Sequence, residues 1–256
     1  MVAWEPDLYR RFEAERSQPA KDLLARIELK TPSQIVDLGC GPATSTDVLA
    51  DRYPDAEILG VDNSEAMLES ARQRLPEARF EAHDIADWRP GATPDLIFAN
   101  AALQWVPDHA TLLPRLLGLL APGGALAVQM PDNHDEPTHT LMREVAAEEP
   151  WAAAFGDPAA LRSPLASASD YYDLLASRAS RVDIWRTTYL HPMPSAQAIV
   201  DWMRGSHLKL FLERLEPAQR PAFVDRYAQA IEKAYPHRTD GRLLLAFPRL
   251  FFVAMR

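Results

Sequence analysis

The sequence has almost no cysteine. Cys40 is the single one among 256 residues, so no intrachain disulfide can form. It also has no surplus of positive charge. Lys and Arg number 27 against 36 Asp and Glu, a formal net charge of −9 at pH 7. That balance argues against a nucleic-acid binder, which needs a basic footprint on phosphates. There is no run of about 18 apolar residues to span a bilayer. The opening residues, MVAWEPDLYRRFEAERS, contain no apolar signal core. No set of Cys, His and Asp has the spacing of a zinc site, and no Gly-x-Ser-x-Gly elbow marks a hydrolase. Together these absences point to a soluble, cytoplasmic protein, expected as a monomer, with no metal and with neither nucleic acid nor membrane as partner.

What is present is a hydrophobic fraction of 47%, enough to bury a real core. The length suits one large domain, or one domain with a sizeable insertion. Asp7 to Arg26 is charged and amphipathic, and Pro19 predicts a break into two short helices. QIVDLGC, a short apolar run ending in Gly, reads as a buried parallel strand, and AEILGVD, ARFEAHD, PDLIFAN and GALAVQM read as four further strands. Between them, Ser45 to Asp51, Ser64 to Leu75 and Leu112 to Leu120 read as helices, with Ser64 as an N-cap. Strands alternating with helices predict an α/β fold with a doubly wound, Rossmann-like parallel sheet. After Met130 the pattern changes. Thr140 to Glu149 is helical, 150–169 reads as irregular, and about 195–234 is helical. VDIWRTTYL and LLLAFPRLFFVAM read as two late strands. The expectation is one domain over 1–256. Its core is about 30–131 plus strands at about 181–190 and 243–255, and a mainly helical cap comes from about 132–170 and 191–240.

VDLGCGPATST, residues 36–46, ends a strand in a glycine turn. Such a turn lets a backbone approach a ligand closely, and the following helix N-terminus favours a polar or anionic group. A dinucleotide fingerprint requires Gly-x-Gly-x-x-Gly, and Thr44 occupies its sixth position, so that pattern fails. Asp62 ends the second strand and can accept from both hydroxyls of a ribose. Asp84 follows the third. Each residue alone has a plainer reading: a tight turn at Gly39 and Gly41, a helix cap at Asp62, a turn residue at Asp84. At successive strand ends they predict a shared ligand crevice.

VDLGCG, GVD, AHDIADW, DLIFANAALQWVPD and LAPGGALAVQ together resemble the class I S-adenosylmethionine-dependent methyltransferases over about residues 30–130. A third glycine of that family is replaced by Ala43, which implies a modest loss of loop freedom and no loss of the site. The resemblance implies S-adenosylmethionine as cofactor, held by Asp37, Gly39, Cys40, Gly41, Asp62, Asn63, Met67, Asp84, Ile85, Asn100 and Ala101. Asp84 would accept from the adenine amine, and Ile85 would pack on the ring.

With further segments, among them AVQMPDNHDEPTHTLMREVA, VDIWRTTYLHPMPSAQAIVDW and LLLAFPRLFFVA, the chain is similar to the trans-aconitate 2-methyltransferase family nearly end to end, with residues 147–170 and 203–240 unlike it. That implies methylation of one carboxylate of a small tricarboxylate. A carboxylate is already ionised at pH 7, so no catalytic proton-transfer residue is expected, only positioning and water exclusion. Carboxylates call for arginine forks. The candidates are Arg10, Arg11, Arg16, Arg143, Arg186 and Arg204, with His207 and Lys209. Tyr9, Gln104 and Trp105 complete the expected acceptor set, although an arginine is commonly a solvated face and Trp105 has a plain core reading. Three alternatives stay open: a methyltransferase for another acceptor, a non-catalytic S-adenosylmethionine sensor, and a nicotinamide-dependent oxidoreductase.

Overall fold

A computed structural model describes residues 13–256. α1 (Glu13–Ala25) runs unbroken through Pro19. The expected break is absent because Pro19 and Ala20 are buried with Leu23 and Leu24. Burial of that face offsets the roughly 3 kcal/mol that an interior proline costs.

β1 (Gln34–Leu38), β2 (Glu57–Asp62), β3 (Arg79–Ala82), β4 (Leu96–Asn100) and β5 (Ala125–Pro131) are parallel. Their crossovers contain α2 (Thr44–Arg52), α3 (Glu65–Arg74) and α4 (His109–Leu119). β1 and β4 are buried nearly throughout, as strands covered on both faces must be. β6 (Arg181–Met193) and β7 (Leu243–Met255) complete one seven-stranded sheet in the order β3-β2-β1-β4-β5-β7-β6, with β7 antiparallel to β5. The doubly wound α/β sheet expected from the alternating pattern is therefore present, with an antiparallel edge region.

α5 (Pro137–Ala146) begins three residues before the expected start, with Pro137 in the first turn, where a missing N–H costs nothing. The stretch expected to be irregular holds α6 (Ala152–Phe155) and a 3₁₀ turn at Pro158–Leu161. α7 (Ala168–Ala176) follows, with a complete capping box between Ser167 and Asp170. The long helical region is three helices, α8 (Ala196–Arg204), α9 (Leu208–Arg214) and α10 (Arg220–Ala234). Gly205 separates the first two, Pro217 lies between the last two, and Pro221 sits in the first turn of α10.

The chain divides into two compact units. The sheet unit is Arg16–Pro131, Ala166–Thr187 and Arg249–Arg256; the helical unit contains Asp132–Leu165 and Thr188–Pro248. The helical unit has its own core. Phe155 packs on Phe211 and Phe223 with ring centroids 5.4 and 5.9 Å away, and Trp151 meets Phe223 edge-on. Arg226 forks onto Glu148 through Nε and Nη2, and the Tyr227 hydroxyl donates to the Thr138 carbonyl at 2.8 Å. These aromatic contacts order α6, whose four residues have no helical stability of their own.

Candidate active site

From β1 the sheet grows through β2 and β3 on one side and through β4 and β5 on the other. The order reverses between β1 and β4, and in open α/β sheets the crevice beyond the carboxyl ends at such a reversal is where ligands bind. Gly39 lies there with φ +71°. A Cβ on it would stand 2.2 Å from the Ala102 Cβ, so only glycine fits. Gly39 and Cys40 both donate their N–H to the Val61 carbonyl, at 2.7 and 3.1 Å. Gly41, at φ +53°, donates its N–H to Asp62 Oδ2 at 3.0 Å, and no atom lies within 4 Å of a Cβ built on it. Asp62 Oδ1 accepts from Ser64 N at 2.9 Å. The Asp62 carboxylate thus ties together the turns after β1 and β2, and each oxygen keeps a further lone pair. Ser64 does stand at the start of α3, but its side chain makes no capping bond. Ala43 holds φ +65° and is fully buried. That left-handed backbone costs an alanine about 1–2 kcal/mol.

Strand register assembles a polar face that motifs did not reveal. Asp37 pairs with Phe98, and Asn100 pairs with Gln129. Side chains alternate along a strand, so Asp37, Asn100 and Gln129 share one face of the sheet. Asp37 Oδ1, Asn100 Oδ1 and Gln129 Nε2 are buried without a hydrogen-bond partner among the described residues. Such atoms are few in native proteins and call for a ligand or a water. Asp37 Oδ2 accepts from Ser45 Oγ at 2.7 Å and Thr46 Oγ1 at 2.8 Å. Burial nevertheless raises the Asp37 carboxyl to about 6, outweighing the two hydroxyl donors, with nearby Asp62 adding to the rise. Gln129 Oε1 accepts from Arg249 Nη1 at 3.1 Å. The Cys40 thiol is buried, and burial together with Asp37 and Asp62 pushes it up, so it stays protonated.

The remaining strand ends carry the other expected cofactor residues. Asn63 is exposed and Met67 half-buried after β2. Asp84 lies two residues past β3, exposed, with Oδ1 accepting from Ala86 N at 2.8 Å. Ile85 is buried, and its Cδ1 would stand 3.5 Å from a Cβ on Gly39. Arg115 of α4 clamps this loop by donating to the carbonyls of Ile85 and Trp88 at 2.7 Å and of Ala86 at 3.0 Å. Sequence reading missed it because an arginine on an apolar helix carries no local signature. After β4, Ala101 takes φ +55° and donates to the Gln129 carbonyl at 2.9 Å. Gln104 Nε2 donates to the Ala101 carbonyl at 2.7 Å, while its Oε1 is buried and unpartnered among the described residues. Trp105 is half exposed, at 50%. His109 braces this turn. Its Nε2 lies 2.8 Å from the Leu103 carbonyl and therefore carries the proton, so Nδ1 accepts from the Tyr171 hydroxyl at 2.6 Å.

The expected acceptor residues are placed as follows. Tyr9, Arg10 and Arg11 lie outside the described residues, as does the side chain of Arg16 on α1. Arg186 is exposed on β6 in the sheet unit. Arg143 is half-buried on α5 in the helical unit, as are Arg204 and Lys209 on their helices. The helical unit also buries Arg162 and His139, which sequence reading did not nominate for the acceptor, and His207, which it did. Arg162 is buried, donating from Nη1 to Asn133 Oδ1 at 2.8 Å. His139 and His207 are buried with ring centroids 4.9 Å apart. Burial, joined by Arg162 and Arg143, drives His207 down to about 3 and His139 well below the usual imidazole range, so both rings are neutral at pH 7. Burial also lowers Arg162 to about 10, against an opposing pull from Asp132. Arg162 sits in an Ala-, Pro- and Ser-rich segment whose composition reads as irregular. Among the described residues no group of three or more His, Cys, Asp or Glu is gathered to hold a metal ion, and no helix is long and apolar enough to cross a membrane.

Comparison with known proteins places this arrangement. The family described as "Methyltransferase domain" matches residues 35–124, from β1 to the turn before β5. The chain is 58% identical to a protein of Variovorax paradoxus (strain S110) named trans-aconitate 2-methyltransferase, over 257 residues covering 100% of this chain and 99% of that one. A protein of the same name from Methylobacterium radiotolerans is 59% identical over 258 residues, again covering 100% and 99%. Among solved structures, the YcgJ protein of Bacillus subtilis superposes with TM-score 0.59 at 12% identity, covering 93% of this chain and 98% of that one. Phosphoethanolamine N-methyltransferase 2 of Haemonchus contortus, solved with S-adenosyl-L-methionine, gives 0.57 at 16% identity, covering 100% of this chain and 60% of that one. At such identities the structures speak for shared architecture alone. The alignments cover this chain and its relatives essentially end to end, and on that ground the chain belongs to the trans-aconitate 2-methyltransferase family.

Proposed function

We propose that this protein transfers the methyl group of S-adenosylmethionine to one carboxylate of trans-aconitate, giving a monomethyl ester and S-adenosylhomocysteine. The observation that carries the reading is the reach of the 58% identity over the whole chain, which includes the helical unit as well as the shared methyltransferase motifs. The same reading makes it a cytoplasmic monomer acting on a small molecule.

The residues of the sheet unit fit the cofactor. Gly39 and Gly41 leave a bare backbone at the strand-order reversal, with open space above Gly41. Asp62 has lone pairs to spare for the ribose diol. Asp37 Oδ1 and Asn100 Oδ1, both buried and unpartnered among the described residues, suit the ammonium of the amino-acid end. Asp84 and Ile85 suit the adenine, and Cys40, Asn63, Met67 and Ala101 complete the surround. When bound, the cofactor supplies a methyl group already activated on a sulfonium. The protein's part is then positioning. Gln104 and Trp105, on the turn after β4 beside Asn100 and Ala101, suit the acceptor, and His109 and Arg115 hold the surrounding loops. An acceptor carboxylate has a pKa near 4 and arrives ionised, so no side chain needs to take a proton. The gain comes from alignment and exclusion of water.

Mass-spectrometric assay of methyl transfer to trans-aconitate, cis-aconitate, citrate and other small acids tests this. A mono-methylated trans-aconitate formed fastest supports the reading. Tight binding of S-adenosylhomocysteine with no acid methylated would show a binding protein and overturn it. Asp62→Ala is expected to weaken cofactor binding by about 1.5–3 kcal/mol, the range for hydrogen bonds to a charged group, measured by calorimetry.

A further inference from the structure

We infer that Arg162 and Arg143, with the rings of His139 and His207, form the site that recognises the two carboxylates of the acceptor that do not react. The inference rests on the proposed function and names the residues behind its specificity. Segments of the helical unit converge to build the site. His139 and Arg143 are four residues apart on α5 and therefore lie on one helical face. His207 begins α9, with its ring 4.9 Å from that of His139. Arg162 follows the 3₁₀ turn that packs on α5, and is held by Asn133 just after β5. Arg162 and Arg143 both act electrostatically on both histidines.

A purely structural role accounts poorly for this grouping. Buried charges in a packed core are paired or absent. Asp132 and Asn133 hold Arg162, Arg143 repels it, and Arg143 itself has no ion pair among the described residues. The cluster thus gathers repelling cations inside a chain whose net charge is −9. Stability alone would not select that, whereas an incoming anion relieves the repulsion. The stoichiometry also matches. A tricarboxylate presenting one carboxylate for methylation leaves two, and the cluster offers two guanidiniums, each able to bind a carboxylate bidentately. Each neutral imidazole carries one N–H and no charge, so the rings line the cluster without adding to the repulsion, with His139 Nδ1 3.0 Å from Thr138 Oγ1.

The test begins with the wild-type protein, comparing methylation of trans-aconitate with equilibrium binding of tricarballylate, its saturated analogue, in the presence of S-adenosylhomocysteine. If the wild type binds S-adenosylhomocysteine but neither methylates nor binds a tricarboxylate, the proposed function itself fails, before any variant is made. Given an active wild type, Arg143→Gln should raise the KM for trans-aconitate and the Kd for tricarballylate roughly 30-fold or more, the loss typical of a buried charge left without its partner. The affinity for S-adenosylhomocysteine should not move, and kcat should change far less than KM. Arg162→Lys keeps the charge but loses the fork, and should show the same split with a smaller rise. With a dicarboxylate acceptor that lacks one spectator carboxylate, one of the two variants should lose almost nothing further. Arg162→Gln also removes the bond to Asn133, so its melting temperature is read alongside. If it unfolds, Arg143→Gln and Arg162→Lys decide. Folded Arg143→Gln and Arg162→Lys proteins that both retain wild-type affinity for tricarballylate would overturn the inference.

Discussion

Asp37 in the sheet unit and Arg162 in the helical unit are both taken out of water, and burial shifts both toward their neutral forms. The signs are opposite. The sheet unit gathers Asp37, Asp62 and acceptor oxygens at its strand ends, whereas the helical unit gathers Arg143, Arg162 and two buried histidines. Under the proposed function each cluster is matched by a ligand of the opposite charge. The cofactor brings a sulfonium and an ammonium, and the acceptor brings carboxylates. Net charge of the whole chain does not express this, because the two clusters largely cancel in the sum. What distinguishes the units is which sign each holds out of water, where interactions are stronger than at the surface.

The largest break in the comparison comes from removing the cradle of the sheet unit. Gly39→Ala forces a left-handed backbone on alanine and drives a methyl group to 2.2 Å from the Ala102 Cβ. Those two effects should cost about 2–5 kcal/mol of stability. S-adenosylhomocysteine binding should vanish while the helical core keeps its near-ultraviolet signal. A folded variant that binds normally would contradict the assignment.

The next effects are mirror images in pH. Asp37 has a folded pKa near 6, above the ordinary 3.8. The unfolded chain therefore releases this proton first, and stability falls as pH rises from about 4 to 6 and stays lower above. Asp37→Asn should make the ligand-free protein more stable by about 3 kcal/mol at pH 8 and leave it unchanged near pH 3.5. The same change should weaken S-adenosylmethionine binding, trading function for stability. Urea titrations at the two pH values check it, and equal effects at both would refute the burial argument.

His207 works the other way. Its folded pKa is about 3 against an ordinary 6.5. Below 6.5 the unfolded chain takes up a proton that the native ring refuses, so stability is lost as pH falls from 6.5 toward 3. At pH 5 that loss is about 2 kcal/mol for this ring, and His207→Gln should abolish its share. A bound tricarboxylate should soften the acid loss in the wild type, by compensating any charge the ring acquires. An identical pH dependence in variant and wild type would show that His207 is not held neutral.

Ala43→Gly should produce the smallest effect. Relief of the left-handed alanine, about 1–2 kcal/mol, is offset by the lost buried methyl group and the freer unfolded chain, together of similar size. The melting temperature should stay within about 2 °C of wild type, at the level of a change below 0.5 kcal/mol. A large loss would mean that the Ala43 methyl is a packing element.

The sheet unit was open to sequence reading because its signals are local. Strands β1, β2, β4 and β5 are short, largely apolar runs ended by turn residues. Gly39 and Gly41 mark the turn that β1 must make, and Asp62 closes the second run. Each of these depends on neighbours within a few residues, so composition and spacing carry them. The break at Pro19 and the irregularity of 150–169 were misjudged for the converse reason. α1 and α6 are held by burial against distant residues, such as Phe211 and Phe223 for Phe155, and propensity does not contain that term.

By itself, then, the sequence determined the strand-and-helix alternation, the glycine cradle and the acidic strand ends, because backbone sterics and hydrophobic period act over short stretches of chain. Only the tertiary structure decided which polar groups lose water together. Gln129 and Arg249 meet across 120 residues of chain, and Arg162 joins Asn133, His139, Arg143 and His207 from an unremarkable Ala-, Pro- and Ser-rich segment. A side chain's charge state depends on how much solvent and which charges surround it, and both are set by what folds against it.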